Sequence, residues 1–503
     1  MIWDNAINSG TVEMSAEMVL TQLKTQAKLT PQLVIEEAIM FVGREAELAG
    51  LQGSYNKDSF RFTVIYGRRR VGKTTLINEF IRGKKAVYFV AIESTIRENL
   101  RLLSNQILPA LAPEAPKNPF GSFDSAVEYV FEKAKNERIV FVIDEYPYLA
   151  NSEKSVSSIL QATIDKYQAK SRLFLILCGS SMSFMERQVL GYESPLYGRR
   201  TGQLKIYPFD YLTSAKMHPS YTHEEKLTLY GITGGIPEYL SRIDSKLTVF
   251  ENTNELFFNP TGRLFEEPAN LLKQELKMPE TYNAIISAIA MGSSKLNEIA
   301  TKAKLETSQA SKMLSTLVSL GIIKKEVPVI KTSSKKTIYA LSDLMFKFWY
   351  RFVLPEQSRI NAGLGEAACK EVFEGQLSSH IGYAFEEASK QYMWIMQKKG
   401  NMPVSFKSIG RWWGSNPKTH TQEEIDIIAV DSNKAIFGEC KWKNTKTGTA
   451  VLDELQRKAS LFEGFDEKHY IIFSKSGFEN NLINIAKKNQ SVILSGLSDM
   501  FKL

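Results

Sequence analysis

The sequence predicts an α/β chain with two sheet-bearing regions, and three observations carry that expectation. Short apolar runs alternate with helical stretches between Arg61 and about Pro208. A glycine-bounded basic octapeptide stands between the first apolar run and the first of those helices. A second helix–strand alternation begins near Leu377.

In the first region the strand candidates are 62–66, 86–91, 139–143 and 173–178. Each is short, apolar and rich in β-branched or aromatic residues, with helical sequence between, the pattern of a parallel sheet covered on both faces. Residues 211–276 read as helices interrupted at Gly234-Gly235-Ile236-Pro237. A three-helix pattern and a lysine-rich hairpin occupy 277–345, and 346–376 reads as a connector. The second α/β region, 377–503, reads helix, three strands, helix, strand, helix. Residues 1–40 differ from the rest of the chain: they carry no motif, and Met40 stands directly before Phe41, so they read as an optional extension or a short packed arm.

A chain of 503 residues exceeds one hydrophobic core, so three or four domains are expected. With 43% hydrophobic and 23% charged residues, it has ordinary globular composition. No apolar run approaches the ~20 residues that span a bilayer, so no membrane partner is expected. The first twenty residues lack a basic stretch followed by an apolar one, which argues against secretion. Cys178, Cys369 and Cys440 are far apart and form no metal pattern, which suits a reducing cytoplasm. A net charge of +8 is compatible with a polyanionic partner without requiring one.

Gly67-Arg68-Arg69-Arg70-Val71-Gly72-Lys73-Thr74 matches G-x-x-x-x-G-K-[ST], with a strand before it and a helix, starting near Thr75, after it. Glycines let successive backbone N–H groups turn toward phosphates, and the helix N-terminus adds favourable dipole charge. This is a P-loop for ATP: Lys73 is placed for the β- and γ-phosphates and Thr74 for Mg2+. The apolar run before Asp144-Glu145 delivers an acidic pair to the C-terminal edge of the sheet, where ligands bind in open α/β folds. Asp144 is expected to hold the metal shell. Glu145 is expected to activate the attacking water or, alternatively, to cap the next turn ahead of Pro147. Another strand ends in Cys178-Gly179-Ser180-Ser181, which makes Ser180 a candidate γ-phosphate sensor, or part of a simple turn. Arg199, beside Arg200, is either a transition-state guanidinium, in this chain or across a homo-oligomer interface, or a solvated charge.

Phe41-Val42-Gly43-Arg44-Glu45, the P-loop, Asp144-Glu145-Tyr146-Pro147-Tyr148-Leu149, Cys178-Gly179-Ser180-Ser181 and Gly234-Gly235-Ile236-Pro237 occur in that order. The series resembles the prokaryotic "archaeal ATPase" family, a branch of the STAND NTPases related to AAA+ proteins. The resemblance implies a P-loop core over 41–210, a helical lid over 211–276, and nucleotide state read as a conformational switch. It also implies that Phe41, Val42 and Pro237 flank the adenine.

Helical patterns at 281–291, 295–304 and 307–320 precede a hairpin, the order of a winged helix. In the third helix Ala310, Met313, Leu314 and Leu317 line one face, and Ser308, Gln309, Ser311 and Lys312 lie away from it. Thr307 is the expected N-cap and Gly321 the stop. Lys324, Lys325, Lys331, Lys335 and Lys336 crowd the hairpin against Glu326, which suits DNA phosphates, although such a domain can also serve only for packing.

In the last region Gly382-Tyr383-Ala384-Phe385-Glu386-Glu387 is read as opening a helix. Asp426 is followed after twelve residues by Glu439-Cys440-Lys441, the spacing of a PD-(D/E)XK nuclease-like fold. On adjacent strands Asp426 and Glu439 are expected to converge on one Mg2+, joined by Glu386 or Glu387, with Lys441 orienting water. Ile409-Gly410-Arg411-Trp412-Trp413 and Phe473-Ser474-Lys475-Ser476-Gly477-Phe478 resemble the nuclease-like C-terminal domain of the same family. The combined expectation is an ATPase switch coupled to DNA binding and cleavage. The alternatives are a regulatory protein whose nuclease-like domain does not cut, and a protein–protein scaffold.

Overall fold

β1 (Arg61–Tyr66), β2 (Ala86–Val90), β3 (Val140–Asp144), β4 (Phe174–Gly179) and β5 (Gly202–Lys205) form one sheet in the order β2-β3-β4-β1-β5. All its pairs are parallel. β3 and β4 are buried along their whole length, as expected for central strands covered by helices on both faces. The computed structural model describes residues 41–114, 118–330, 337–416 and 419–502. The N-terminal extension and the hairpin residues Lys331, Lys335 and Lys336 therefore lie outside the described residues.

The four strands expected in this region are present to within a residue or so at each end. β5 was not anticipated. It is a four-residue edge strand, Gly-Gln-Leu-Lys, whose polar sequence carries neither the apolar run nor the alternation that marks a strand.

Helices Tyr211–Lys216, His223–Thr233, Pro237–Leu240, Val249–Phe257 and Glu267–Glu275 follow the sheet. Their ends are written locally: Thr222 and Glu225 form a capping box, and Gly234 closes its helix at φ 71°. Next come helices Pro279–Ala290, Leu296–Lys302 and Thr307–Ser319, then the antiparallel pair β6 (Ile323–Glu326) and β7 (Ile338–Leu341). Glu306, not Thr307, takes the N-cap position of the third helix, and its side chain makes no capping bond.

The first residues of the connector expected over 346–376 belong instead to the interior. Phe346, Phe348, Trp349, Tyr350 and Phe352 are all buried. Trp349 Nε1 donates to the Phe265 carbonyl at 2.6 Å, and the Phe348 ring packs edge-on to Phe257 at 5.2 Å. Aromatic burial of this kind outweighs the local helical pattern that read as a spacer.

Gly382 to Glu387 do not open a helix but lie inside a long one, Leu377–Lys398. It packs on a mixed sheet of β8 (Ser408–Ser415), β9 (Gln422–Asp431), β10 (Lys434–Lys441), β11 (Glu467–Ser474) and β12 (Val492–Gly496), ordered β12-β11-β10-β9-β8. β8, β9 and β10 are antiparallel, and β10, β11 and β12 parallel. Helix Thr449–Ala459 covers the other face through Leu452 and Leu455. The last strand and the short helix Leu497–Met500 extend the expected order by one unit. Residues Ala46–Leu503 form one compact unit. No helix among the described residues is long and apolar enough to cross a membrane.

Candidate functional site

The loop between β1 and helix Lys73–Ile81 is shaped by two glycines. A Cβ on Gly67 would strike the Ile206 carbonyl oxygen, and Gly72 holds φ 86° at the helix N-cap. Val71 is fully buried and anchors the loop, while Thr74 and Thr75 stand exposed at the start of the helix. Lys73 is buried, and its Nζ donates to the Gly67 and Arg68 carbonyls at 2.9 and 3.0 Å. Burial lowers its pKa, against the charges of Glu145 and Asp144. Its ammonium is thus parked on backbone oxygens.

β3 brings Asp144 beside this helix. Thr74 Oγ1 donates to Asp144 Oδ2 at 3.0 Å, and the Glu145 N–H donates to Oδ1 at 2.9 Å. A hydroxyl and a carboxylate oxygen side by side are the hard donors that magnesium prefers, so these residues fit that ion. Glu145 sits at φ 50°, a left-handed conformation that costs a non-glycine residue roughly 1–2 kcal/mol. It occupies the N-cap position of helix Tyr146–Ser152, yet its side chain makes no capping bond. Instead both carboxylate oxygens lie 2.9 Å from Ser180 Oγ at the end of β4. The strain therefore turns Glu145 away from its helix and toward the neighbouring strand.

Sequence reasoning missed several residues here. Tyr88 on β2 donates its hydroxyl to Asp144 Oδ2 at 2.5 Å, the oxygen that also accepts from Thr74. Only the pairing of β2 with β3, which sets Tyr88 opposite Val142, reveals that closeness. The three loop arginines are held by carboxylates from later in the chain. Arg68 is ion-paired with Asp343 and lies 5.1 Å from the Phe346 ring centre. Arg69 Nε donates to Glu275 at 2.9 Å and one of its terminal amines to the Tyr148 hydroxyl at 3.0 Å. Arg70 is ion-paired with Glu267. No sequence motif marks Glu267, Glu275 or Asp343; topology alone brings them to the loop.

Arg199 forks onto Asp165 at 2.7 and 2.8 Å, so its guanidinium is engaged on helix Val156–Tyr167. Pro237 opens its short helix and would lie 3.8 Å from a Cβ placed on Gly72. Phe41 and Val42 are half-buried. Ser308, Gln309, Lys312 and Lys325 are exposed. Lys324, expected to face DNA, is turned inward: its Nζ lies 2.7 Å from Glu326 and 2.8 Å from Glu387.

In the mixed sheet, the Cys440 N–H on β10 donates to Asp426 Oδ2 at 2.9 Å, linking Asp426 to the strand that carries Glu439. Burial and the charge of Asp426 push Glu386 up to about 7, while burial and the charge of Glu439 push Asp426 up to about 6. Glu386 Oε2 and Glu439 Oε2 are buried without a hydrogen-bond partner. Glu387 takes the opposite course: burial opposes ionisation, but Lys390 and Lys324 outweigh it and hold the carboxyl down at about 2. The mutual charge effects set Glu386 near Asp426 and Asp426 near Glu439, although no group of three or more His, Cys, Asp or Glu side chains among the described residues is already gathered as a metal site. Lys441, expected to orient water, donates to Glu439 Oε1 at 2.5 Å.

A five-stranded parallel sheet, a glycine-bounded phosphate loop and an acid-tipped strand bonded to it through Thr74 define a P-loop ATPase. Residues 41–243 match the ATPase domain found predominantly in Archaea, and residues 349–452 match a domain of archaeal and bacterial proteins of unknown function. Over 443 residues the chain is 32% identical to an uncharacterized protein of Methanocaldococcus jannaschii, MJECL04, covering 87% of this chain and 96% of that one. The chain belongs to this family of archaeal-type ATPases. Among solved structures it is similar to the Walker-type ATPase PABY2304 of Pyrococcus abyssi, with a TM-score of 0.49 and 20% identity over 62% of this chain and 96% of that one. It is also similar to the Aeropyrum pernix ORC2 protein, with a TM-score of 0.43 and 13% identity over 64% and 94% of the two chains.

Proposed function

We propose that this ATPase is a magnesium-dependent switch whose nucleotide state is passed to a DNA-binding winged helix and a nuclease-like C-terminal region. The observation that carries the coupling is the position of the β6–β7 hairpin. At one end Asp343, two residues beyond β7, is ion-paired with Arg68 of the phosphate loop. From the same strand pair, Lys324 bonds to Glu387, and beyond β6 the Val329 N–H bonds to the Arg411 carbonyl, both partners being in the C-terminal region. One hairpin thus touches the phosphate loop and the neighbourhood of Glu386.

In the ATPase step, Lys73 leaves the Gly67 and Arg68 carbonyls to meet the β- and γ-phosphates. Thr74 and Asp144 would hold magnesium, which supplies charge neutralisation at the phosphates when bound. Glu145 accepts a proton from the attacking water, and Ser180 fixes the direction of its carboxylate. Gly67 to Thr75 cradle the phosphates. For Arg199 to act across a homo-oligomer interface it must first leave Asp165. DNA would lie against Ser308, Gln309, Lys312 and Lys325. Replacing Lys312 and Lys325 by alanine tests this in a salt titration of DNA affinity: the slope of log affinity against log salt should fall by about one to two. An unchanged slope removes this surface from the interface.

Cleavage is tested by incubating the protein with labelled DNA and magnesium beside Glu439→Ala and Lys441→Ala. Equal degradation by all three would assign any nicking to a contaminant. A second reading, an ATP-gated regulator that does not cut, is favoured by the Lys441–Glu439 pair, which occupies the ammonium expected to orient water. It predicts no cleavage by any of the three proteins, with DNA binding that responds to nucleotide.

A further inference from the structure

Helix Glu267–Glu275 presents a carboxylate to the phosphate loop at each end. Glu267, its first residue, is ion-paired with Arg70 and accepts a 2.7 Å hydrogen bond from the Tyr239 hydroxyl. Glu275, its last residue, accepts from Arg69 at 2.9 Å and has a side chain only 6% exposed. The helix is therefore strapped across the loop by its two termini, and the two straps differ in what surrounds them. Burial raises the pKa of Glu275, while the charges of Arg69 and Lys73 act to lower it and that of Glu145 acts to raise it. Glu275 thus sits in the same electrostatic field as Lys73 and Glu145, the groups flanking the place where a terminal phosphate is read to bind. Lys73 itself hydrogen-bonds to backbone carbonyls, not to a carboxylate. The cationic charge that a terminal phosphate needs is thus partly answered by a glutamate from the lid.

We propose that Glu275 is a specificity-determining residue of the ATPase: it competes with the terminal phosphate for Arg69, so a triphosphate displaces it and a diphosphate does not. The proposal rests on the reading that the loop binds nucleotide phosphates. Two anions sharing one set of cations in a low-dielectric site repel each other, and the repulsion is relieved only if one leaves. A diphosphate ends short of this region and leaves the Arg69–Glu275 pair intact. A triphosphate frees the C-terminal end of helix Glu267–Glu275 while its N-terminal end stays on Arg70. The lid is then hinged at Glu267, and the terminal phosphate controls its far end.

Calorimetry of the full chain with a non-hydrolysable ATP analogue and with ADP tests this. Glu275→Gln keeps the shape but removes the competing charge, so affinity for the triphosphate should rise relative to ADP by about fivefold or more. Glu275→Asp, which keeps the charge, should leave the ratio near the wild-type value. In the unmodified protein, amide hydrogen exchange at the C-terminal end of Glu267–Glu275 should quicken with the analogue and not with ADP. That measurement stands even if a variant folds poorly. Equal shifts in the two affinities, or equal exchange with both nucleotides, would overturn the proposal. Lys73→Ala separates the two levels: if it binds both nucleotides like wild type, the phosphate-loop reading itself has failed.

Discussion

Ser180 Oγ lies 2.9 Å from each carboxylate oxygen of Glu145, and this pairing rather than a helix cap sets where that carboxylate points. Removing the hydroxyl in Ser180→Ala leaves Glu145 free to rotate out of line. ATP turnover should fall by about tenfold or more, since small misplacements of a catalytic group are costly. Nucleotide affinity should not change. Steady-state kinetics beside calorimetry checks both, and a loss of affinity with normal turnover would refute the positioning role.

Tyr88 and Thr74 share one oxygen of Asp144. Tyr88→Phe deletes a hydrogen bond to a charged acceptor, an interaction worth about 1.5–3 kcal/mol. The expected outcome is a higher magnesium concentration for half-maximal turnover, with the apparent affinity for ATP in excess magnesium little altered. A variant that lost stability alone, with an unshifted magnesium curve, would show Tyr88 to be packing.

His380 is fully buried, with Nε2 2.8 Å from the Gly231 carbonyl, and burial holds its pKa down at about 3. The native ring stays neutral while the unfolded one protonates near its ordinary value of about 6.5. Its contribution to stability is therefore complete above pH ~6.5 and is lost as pH falls toward ~3. The difference in melting temperature between wild type and His380→Gln should narrow over that interval. A constant difference would contradict the assignment.

Glu386 has the opposite sign. Its folded pKa of about 7 lies above the ordinary value of 4.5, so the ionised form is penalised above pH ~7 and the penalty fades as pH falls toward ~4.5. Glu386→Gln should stabilise the protein at pH 8 by about 1–3 kcal/mol, and by much less at pH 4.5. Denaturant titrations at the two pH values measure this. Destabilisation at pH 8 would mean that the carboxylate is better satisfied than its neighbours indicate.

The residues of the phosphate loop and the acidic strand tip were legible in the sequence because each part is local: a strand, a glycine turn, a helix start and two acids at a strand end. The partners of the loop arginines were not. Asp343 lies 275 positions beyond Arg68 in the chain, and nothing in either neighbourhood marks the pair. Tyr88 is hidden for a milder reason, since strand order decides which residue faces Asp144. Lys324 shows the converse error. Its place in a basic hairpin was correct, but Glu387 from a helix 63 residues away claimed its charge. In the C-terminal sheet, spacing placed Asp426 on the strand beside Glu439 and Lys441, but it could not show that the Lys441 ammonium would turn to Glu439.

The aromatic run from Phe346 to Phe352 has a practical corollary for anyone dissecting this chain. Severing it ahead of Phe346 bares Phe257 and Phe265 on one fragment and strands Phe348 and Trp349 on the other, while severing it after residue 376 parts Phe348 and Phe352 from His380. Fragments made that way should aggregate, and a matching domain boundary at residue 349 marks where ancestry is recognised, not where the protein comes apart.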